Sequence, residues 1–324
     1  MSHLLLISDL SKIINMTLSF KHSGRLGDIL YSLPLLQEMS KIECSPVDLY
    51  IGNDVPARLG ADVFHPSLDV MVNTALFQYI HPLLARQTYI NKVEHIASLE
   101  IPSDVIDLDK FKESGLNLKA GLIHGWYRKA FGLPFPLEKA WLHIDILNAN
   151  DALRDYDVDV LVSRTTRFCN TRINYSFLDQ IEGVGFIGMP YEYDDFISRH
   201  ALKRVRHVRV ENAFDLAVLM RRAKVFIGNQ SSNFAIAEGL KVTRALEAFE
   251  PVPVATPVGG LCFEYINTKF LVDFLSSILT IPLDAPKDIV GGDYYDSIKS
   301  QVGYVLPLKQ RLKNLLGIAR KPRY

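Results

Sequence analysis

Residues 225–239 read V-F-I-G-N-Q-S-S-N-F-A-I-A-E-G, and this stretch decides the fold class. The apolar residues 225–227 predict the buried end of a strand, and Gly228 with Asn229 predicts a tight turn. Residues 235–240 then predict a helix. A strand, a turn and a helix start in one short run form the unit from which α/β proteins with parallel sheets are built.

The helix start in this stretch is suited to bind a phosphate. It leaves backbone N–H groups unpaired and carries a partial positive charge. Ser231 or Ser232 can cap the helix or lend a hydroxyl group to the phosphate. Further polar side chains beside them are Asn229, Gln230 and Asn233. An ordinary strand–helix turn with a serine N-cap has the same local sequence, so both interpretations stay open.

The order of predicted elements indicates two α/β domains, at residues 17–150 and 151–293. In the first, strands are expected at 17–22, 47–51, 70–72 and 105–108, and helices at 29–39 and 116–131. In the second, strands are expected at 158–163, 185–188, 208–210 and 225–228, a helix at 213–223, and a strand or a helix at 245–249. Two such domains facing each other place a ligand at the carboxyl ends of their strands.

Three further segments lie outside the predicted domain cores. Residues 1–16 are expected to be an N-terminal extension, and the polar stretch 148–157 is expected to be the linker. Residues 294–324 predict a C-terminal helical segment that can pack back on the first domain. Gly303 and Pro307 predict a kink or a break in that helix.

Composition narrows the class of protein. The 324 residues are 48% hydrophobic and 22% charged, which is typical of a soluble globular protein. Lysine plus arginine and aspartate plus glutamate number 36 each, which argues against a dedicated nucleic-acid-binding protein but not against a local basic patch. Cys44, Cys169 and Cys262 lie far apart, as in a reducing compartment. With no signal-peptide pattern and no long apolar run, a cytoplasmic location is expected.

The sequence S-G-R-L-G-D at residues 23–28 directly follows the first predicted strand. Gly24 and Gly27 allow the backbone to approach a ligand closely, and Arg25 lies between them. Asp28 falls at the start of the following helix, where an N-terminal cap is the commonest role of an aspartate. The functional alternative is a general base that takes a proton from the hydroxyl group of an acceptor.

A second polar cluster, S-R-T-T-R at residues 163–167, ends the strand predicted at 158–163. Hydroxyl groups mixed with guanidinium groups suit phosphate oxygens, because arginine can donate two parallel hydrogen bonds. A solvated loop is the alternative interpretation. Glu238, two helical turns beyond the phosphate-suited helix start, can accept hydrogen bonds from ribose hydroxyls or lie at the surface.

No metal site is expected. Two D-x-D patterns, at 107–109 and 157–159, are expected by chance, and the nine histidines show no zinc-binding spacing. The residues expected to contact a phosphate-bearing ligand at these turns are Ser163, Arg164, Thr165, Arg167, Asn229, Gln230, Ser231, Ser232, Asn233 and Glu238.

Two short motifs carry a resemblance to a known family. The first is R-L-G-D-I-L at residues 25–30 with Leu33-Pro34, and the second is I-G-N-Q-S-S at residues 227–232 with Ile236-Ala237. Together they resemble the N-terminal glycine–aspartate signature and the C-terminal G-N-D-S-G…H-x-A signature of the heptosyltransferase-type glycosyltransferases, the ADP-heptose:lipopolysaccharide transferase family. The separation of roughly 200 residues between the motifs also fits that family.

The resemblance implies a GT-B fold, in which two Rossmann-like, doubly wound domains face an interdomain cleft. It implies that Asp28 is the catalytic base, that Ser231 and Ser232 cradle the donor diphosphate, and that residues 163–167 contact the same diphosphate. Gln230 replaces the usual aspartate, Ser232 the usual glycine and Ala235 the usual histidine. These differences lie on the donor side, so a nucleotide sugar other than ADP-heptose is equally compatible.

The first hypothesis is an inverting, metal-independent glycosyltransferase without a cofactor. It uses a nucleotide-diphosphate sugar, bound by the second domain, as co-substrate. The first domain, with Gly24, Arg25 and Gly27 in its acceptor-side loop, receives a glycan, lipid-linked or other hydroxyl acceptor. The alternative is a GT-B-shaped binding or scaffold protein that has lost catalysis. A third possibility, glycosylation of nucleic-acid bases, is disfavoured by the neutral charge. The basic run at 320–323 predicts a weak contact with an anionic membrane surface.

Overall fold

The computed structural model describes residues 17–57, 69–113, 115–118, 121–145 and 157–289. The predicted N-terminal extension, nearly all of the predicted linker and the predicted C-terminal helix lie outside these residues. The predicted domain boundaries therefore stay predictions.

The first half of the described chain forms a four-stranded parallel sheet. Its strands are β1 (Ser19–His22), β2 (Val47–Gly52), β3 (Ile90–Ile96) and β4 (Ile106–Asp107), in the order β3-β2-β1-β4. Its helices are α1 (Leu26–Ile42), α2 (Thr74–Leu84) and α3 (Ile123–Phe131). Strand β2 is buried along its whole length, as expected for a parallel strand covered on both faces.

The second half forms a six-stranded parallel sheet. Its strands are β5 (Val160–Ser163), β6 (Val184–Phe186), β7 (Arg206–His207), β8 (Val225–Gly228), β9 (Arg244–Glu247) and β10 (Cys262–Tyr265). Its helices are α4 (Pro190–His200), α5 (Ala213–Arg222), α6 (Ser232–Leu240) and α7 (Thr268–Leu279). The order β10-β9-β8-β5-β6-β7 is the 3-2-1-4-5-6 order of a Rossmann sheet when the strands are counted from β5. The predicted α/β class with parallel sheets is confirmed.

Side-chain caps define where several helices begin. Asn212 accepts hydrogen bonds from the amides of Phe214 and Asp215 at the start of α5. Ser231 accepts from the amide of Phe234 at the start of α6. Each cap pairs a backbone donor that the helix itself leaves unpaired.

One apolar core joins elements of the two sheets. Its buried members include Leu33 and Tyr31 of α1 and Phe234 and Ile236 of α6. Helix α1 packs against α6, and helix α2 packs against α5. A Cβ atom on Gly239 of α6 would lie 2.7–2.8 Å from atoms of Leu142 and Trp141, so the glycine permits the two halves to approach closely.

Several predicted elements differ from the observed ones. Helices α1 and α6 begin at Leu26 and Ser232, ahead of the predicted starts at 29 and 235, because the polar first turn is already helical. The helix predicted at 116–131 begins only at Ile123. Residues 70–72 form only an isolated bridge between Val70 and Pro56. The strand predicted at 208–210 is wrong in position, because β7 lies just before it, at Arg206–His207. Residues 245–249, for which a strand and a helix were both open, contain β9.

Sequence reasoning missed α2, β3, α4, β10 and α7. Strands β3 and β10 lie at the edges of their sheets, where charged residues are tolerated and the apolar signal is weaker. Among the described residues, no helix combines the length and the apolar character that a membrane crossing requires.

Candidate active site

Three predicted motifs meet at the carboxyl ends of the strands. Residues 23–28 follow β1, residues 164–167 follow β5, and residues 229–233 follow β8. Strands β5 and β8 are neighbours at the point where the strand order reverses, which is where ligands bind in open α/β sheets. A cavity of about 820 Å³ lies there and is lined by residues of both halves.

The starts of α1 and α6 lie beside each other at the wall of this cavity. A Cβ atom built on Gly27 would lie 4.0 Å from both the Cα and the amide nitrogen of Ser232. The two motifs that carry the family resemblance are therefore adjacent in space.

The structure separates the predicted site residues into two groups. Those that line the cavity are Arg25, Gly27, Asp28, Thr165, Arg167, Gln230, Ser231, Ser232 and Asn233, together with Thr166. Those that do not line it are Gly24, Ser163, Arg164, Asn229 and Glu238.

Arg164 is a buried structural residue and does not reach the cavity. Its guanidinium group donates to both carboxylate oxygens of Glu247, from Nε at 2.7 Å and from Nη2 at 3.1 Å. Glu247 also accepts from the hydroxyl of Tyr175 and from the amide of Asn170. A guanidinium held in this way is not available to a phosphate, which corrects the predicted donor contact of Arg164.

Glu238 is likewise structural. Its carboxylate is fully buried and accepts from Nε of Arg244 and Nζ of Lys241, each at 2.5 Å, and from the amide of Val258 at 3.1 Å. The predicted contact with ribose hydroxyls is replaced by this cluster, because the carboxylate points into the interior beneath α6.

Asn229 and Ser163 support the cavity wall from behind. The amide side chain of Asn229 accepts from the Thr165 amide at 3.1 Å and donates to the carbonyl oxygens of Thr165 and Arg167. Ser163 accepts a hydrogen bond of 2.9 Å from Asn233. These bonds fix the loop after β5 against the loop after β8.

Three arginines line the cavity, Arg25, Arg167 and Arg209, and the first two lie beside the helix starts that carry the family resemblance. Arg25 and Arg167 both line it, and Nη1 of Arg25 is buried with no hydrogen-bond partner among the described residues. Burial lowers the pKa of Arg25, and burial together with the charge of Arg25 lowers the pKa of Arg167. Burial and the neighbouring Arg25 disfavour the positive charge of Arg167, and two helix starts lie beside it. A bound anion would therefore stabilise the charged form of Arg167.

Asp28 is the third residue of α1 and lies at the cavity wall. Its Oδ2 accepts from the amide of Arg25 at 3.3 Å, so the carboxylate closes the first turn of the helix. Asp28 therefore has a capping role, as one of the two interpretations expected, but from the third helical position, because the N-cap residue is Arg25. The side chain still faces the cavity, so the role of a general base stays a hypothesis.

Gln230 connects the cavity wall to a neighbouring loop. Its Nε2 donates to the carbonyl of Val252 at 2.8 Å, and its Oε1 accepts from the amide of Val254 at 3.4 Å. The carbonyl of Val254 in turn accepts from the amide of Ile123 at the start of α3. An aspartate at position 230 has no donor for the Val252 carbonyl, which explains why an amide suits this position.

Sequence reasoning missed Glu192, the third residue of α4. It lines the cavity near Arg167, accepts from the amide of Met189 at 2.8 Å, and has its pKa raised by burial. The sequence pattern that indicates this position is a proline at 190 followed two residues later by a glutamate. This pattern is typical of a helix start, and Asp28 also lies at the third position of its helix. Aromatic rings of Tyr31, Tyr79 and Trp126 line the cavity from the first half.

Within the described residues, no group of three or more histidine, cysteine, aspartate or glutamate side chains could hold a metal ion. In the D-x-D pattern at 107–109, Asp107 pairs with Lys21 at 3.0 Å and Asp109 with Lys112 at 2.5 Å.

The doubly wound sheets define the class of fold, and solved structures share it. E. coli ADP-heptose lps heptosyltransferase II superposes with a TM-score of 0.51 at 13% identity, over 82% of this chain and 99% of the other. This likeness agrees with the α/β fold of two parallel sheets described above.

Two other similar structures are less closely superposed. A glycosyl transferase family 9 protein from Veillonella parvula gives a TM-score of 0.46 at 14% identity, over 90% and 98% of the chains. E. coli heptosyltransferase WaaC with ADP-2-deoxy-2-fluoro heptose gives 0.47 at 12% identity, over 77% and 93%. No family model matches the chain, and no curated protein sequence matches it.

Proposed function

We propose that this chain is a glycosyltransferase of GT-B architecture that moves a sugar from a nucleoside-diphosphate donor to an acceptor hydroxyl. The observation that carries the proposal is the meeting of Arg25, Arg167 and the starts of α1 and α6 around one cavity whose wall also holds Asp28. The arginines and helix N–H groups suit a diphosphate, and the carboxylate suits a hydroxyl group.

In the proposed reaction Asp28 accepts the proton of the acceptor hydroxyl while that oxygen attacks the anomeric carbon of the donor sugar. The bond between this carbon and the diphosphate oxygen breaks, and the nucleoside diphosphate leaves with the electron pair. Attack opposite the leaving group inverts the anomeric configuration. Arg25, Arg167 and the N–H groups of α6 stabilise the charge of the leaving diphosphate without requiring a metal.

The donor is proposed to lie mainly against the second half. Ser232 and Asn233 in the first turn of α6 contact the diphosphate, and Thr165 approaches it from the loop after β5. Glu192, which faces the cavity near Arg167, accepts hydrogen bonds from the ribose in place of Glu238. The solved structure with the same fold is an ADP-heptose transferase, but Gln230 and Ala235 leave the nucleotide and the sugar of this chain open.

A calorimetric titration with ADP, GDP and UDP tests the diphosphate site. For whichever nucleotide binds, Arg167→Gln is expected to weaken binding by roughly 10- to 150-fold, since a hydrogen bond to a charged group contributes about 1.5–3 kcal/mol. Arg204→Gln is the matched control, because Arg204 is an exposed arginine paired with Glu182 outside the cavity. Equal affinities of both variants would contradict the proposed site.

Substitution of Asp28 tests the reaction. Asp28→Asn keeps an oxygen that can accept from the Arg25 amide, so the helix start is retained. Sugar transfer is expected to fall by roughly 10²–10⁴-fold, with nucleotide affinity unchanged. Turnover equal to that of the wild type would exclude Asp28 as the base. Nucleotide binding without transfer to any acceptor in the wild-type protein would favour the alternative of a binding or scaffold protein.

A further inference from the structure

The loop that presents Asp28 is held by side chains on three consecutive backbone amides. The amide of Ser23 donates to Oδ2 of Asp109 at 2.7 Å, and the amide of Gly24 donates to Nδ1 of His22 at 2.8 Å. The amide of Arg25 donates to Asp28 itself at 3.3 Å. These three amides are therefore already paired and do not bind a ligand. Asp109 and His22 fix the backbone conformation of the loop.

His22 is the centre of this arrangement. Its ring is fully buried, and its Nε2 lies 2.8 Å from the hydroxyl oxygen of Tyr127. Because the Gly24 amide donates to Nδ1, the imidazole proton is on Nε2 and is donated to Tyr127. The Tyr127 hydroxyl then donates to the backbone carbonyl of Asp28 at 3.0 Å. Each donor in this series of hydrogen bonds has one acceptor, and the last acceptor belongs to Asp28, the residue proposed as the base.

Close packing joins the same residues. A Cβ atom on Gly24 would lie 2.5 Å from Cε1 of His22 and 3.0 Å from Oδ2 of Asp28. The imidazole ring and the carboxylate therefore contact the loop at one point, and only a glycine leaves room for both. Movement of the ring would displace the carboxylate or the loop.

Charged groups around His22 do not disturb this arrangement. Those that act on it are Asp109, Asp28, Lys112 and Asp107. Burial outweighs the carboxylates and lowers the pKa of His22, so the ring stays neutral near pH 7.

We propose that His22 and Tyr127 are positioning residues that hold the carboxylate of Asp28 at the reacting hydroxyl. This inference rests on the proposed function, in which Asp28 is the base. A displacement of a reacting group by about 1 Å can reduce turnover by roughly 100-fold. We therefore expect the loss of one hydrogen bond between His22, Tyr127 and Asp28 to affect turnover more than folding.

The experiment compares Tyr127→Phe with Tyr89→Phe. Tyr89 is a matched control, because its buried hydroxyl also donates to a backbone carbonyl, that of Trp141 at 2.6 Å, but does not touch the Asp28 loop. Both variants are expected to lower Tm by similar amounts. Only Tyr127→Phe is expected to lower kcat, by roughly 10- to 100-fold, with the donor Kd unchanged. A kcat loss that is equal in both variants, or absent from Tyr127→Phe, would overturn the proposal.

Two variants of His22 supply a second measurement. In His22→Asn the side-chain oxygen can replace Nδ1 as acceptor of the Gly24 amide, whereas His22→Leu removes every polar contact. The expected order of kcat is wild type, then Asn, then Leu, and equal kcat values for the two variants would contradict a positioning role. Turnover that survives Asp28→Asn would instead overturn the proposed function, so the two failures are distinguishable.

Discussion

Substitution of the buried Glu238 tests whether its carboxylate stabilises the fold and takes no part in nucleotide binding. Glu238→Gln keeps the shape of the side chain but removes the charge that faces Arg244 and Lys241. Both Glu238 and Arg244 are fully buried, so the change leaves a buried guanidinium without its counter-charge. Breaking such a pair costs about 3–5 kcal/mol. At about 2–4 °C per kcal/mol, this corresponds to a fall in Tm of about 6–20 °C.

The assay measures Tm and the Kd of the bound nucleotide for Glu238→Gln beside Glu192→Gln. Glu238→Gln is expected to change Tm alone. Glu192→Gln is expected to weaken nucleotide binding roughly tenfold or more with little loss of Tm, because burial already disfavours the charge on Glu192. Weaker nucleotide binding in Glu238→Gln, or a Tm within about 2 °C of the wild type, would refute the structural assignment of Glu238.

Three further predictions follow from single side chains. The pKa of buried His124 is lowered from 6.5 to about 3, so between those values the unfolded chain binds a proton that the native state does not. The free energy of unfolding should therefore fall by about 1.4 kcal/mol per pH unit below pH 6.5. His124→Phe should flatten the dependence of Tm on pH between about 6 and 4. An unchanged slope in this variant would exclude protonation of His124 as the cause. Iodoacetamide should alkylate the exposed Cys44 in the folded protein. It should reach the buried Cys169 only after unfolding, because burial raises the pKa of that thiol to about 12. Peptide mass spectrometry distinguishes the two sites. Gln230→Glu should lower the free energy of unfolding by about 1–3 kcal/mol in urea, because it removes the donor to the Val252 carbonyl; an unchanged midpoint would exclude that bond as a support of the loop.

The parts of the fold that the sequence predicted correctly depend on neighbouring residues in the chain. A serine cap of α6, at Ser231 or Ser232, was readable because a cap bonds to amides two or three residues further on, and Ser231 is the residue that caps. The strand at 225–228 was readable because all four of its residues are buried. The position of Asp28 at the start of α1 was readable for the same local reason.

The parts that could not be predicted depend on partners far away in the sequence. Arg164 was expected at a phosphate, but its partner Glu247 comes from β9, and no local pattern relates the two. The bond between Tyr127 and the carbonyl of Asp28 joins residues that are 99 positions apart. Glu238 looked like an exposed or ligand-binding acid because its sequence gives no sign that Arg244 lies beneath the same helix.

The apolar core shared by α1, α2, α5 and α6 has a consequence for engineering. Side chains such as Tyr31 and Phe234 belong to one packed interior, although they come from different halves of the chain. Calorimetry should therefore record one transition, with neither half surviving the other. A chimera that exchanges only the second half would pair core side chains from two different proteins, which would then pack poorly against each other. Donor redesign should instead graft the loops after β5, β6 and β8 onto an intact scaffold.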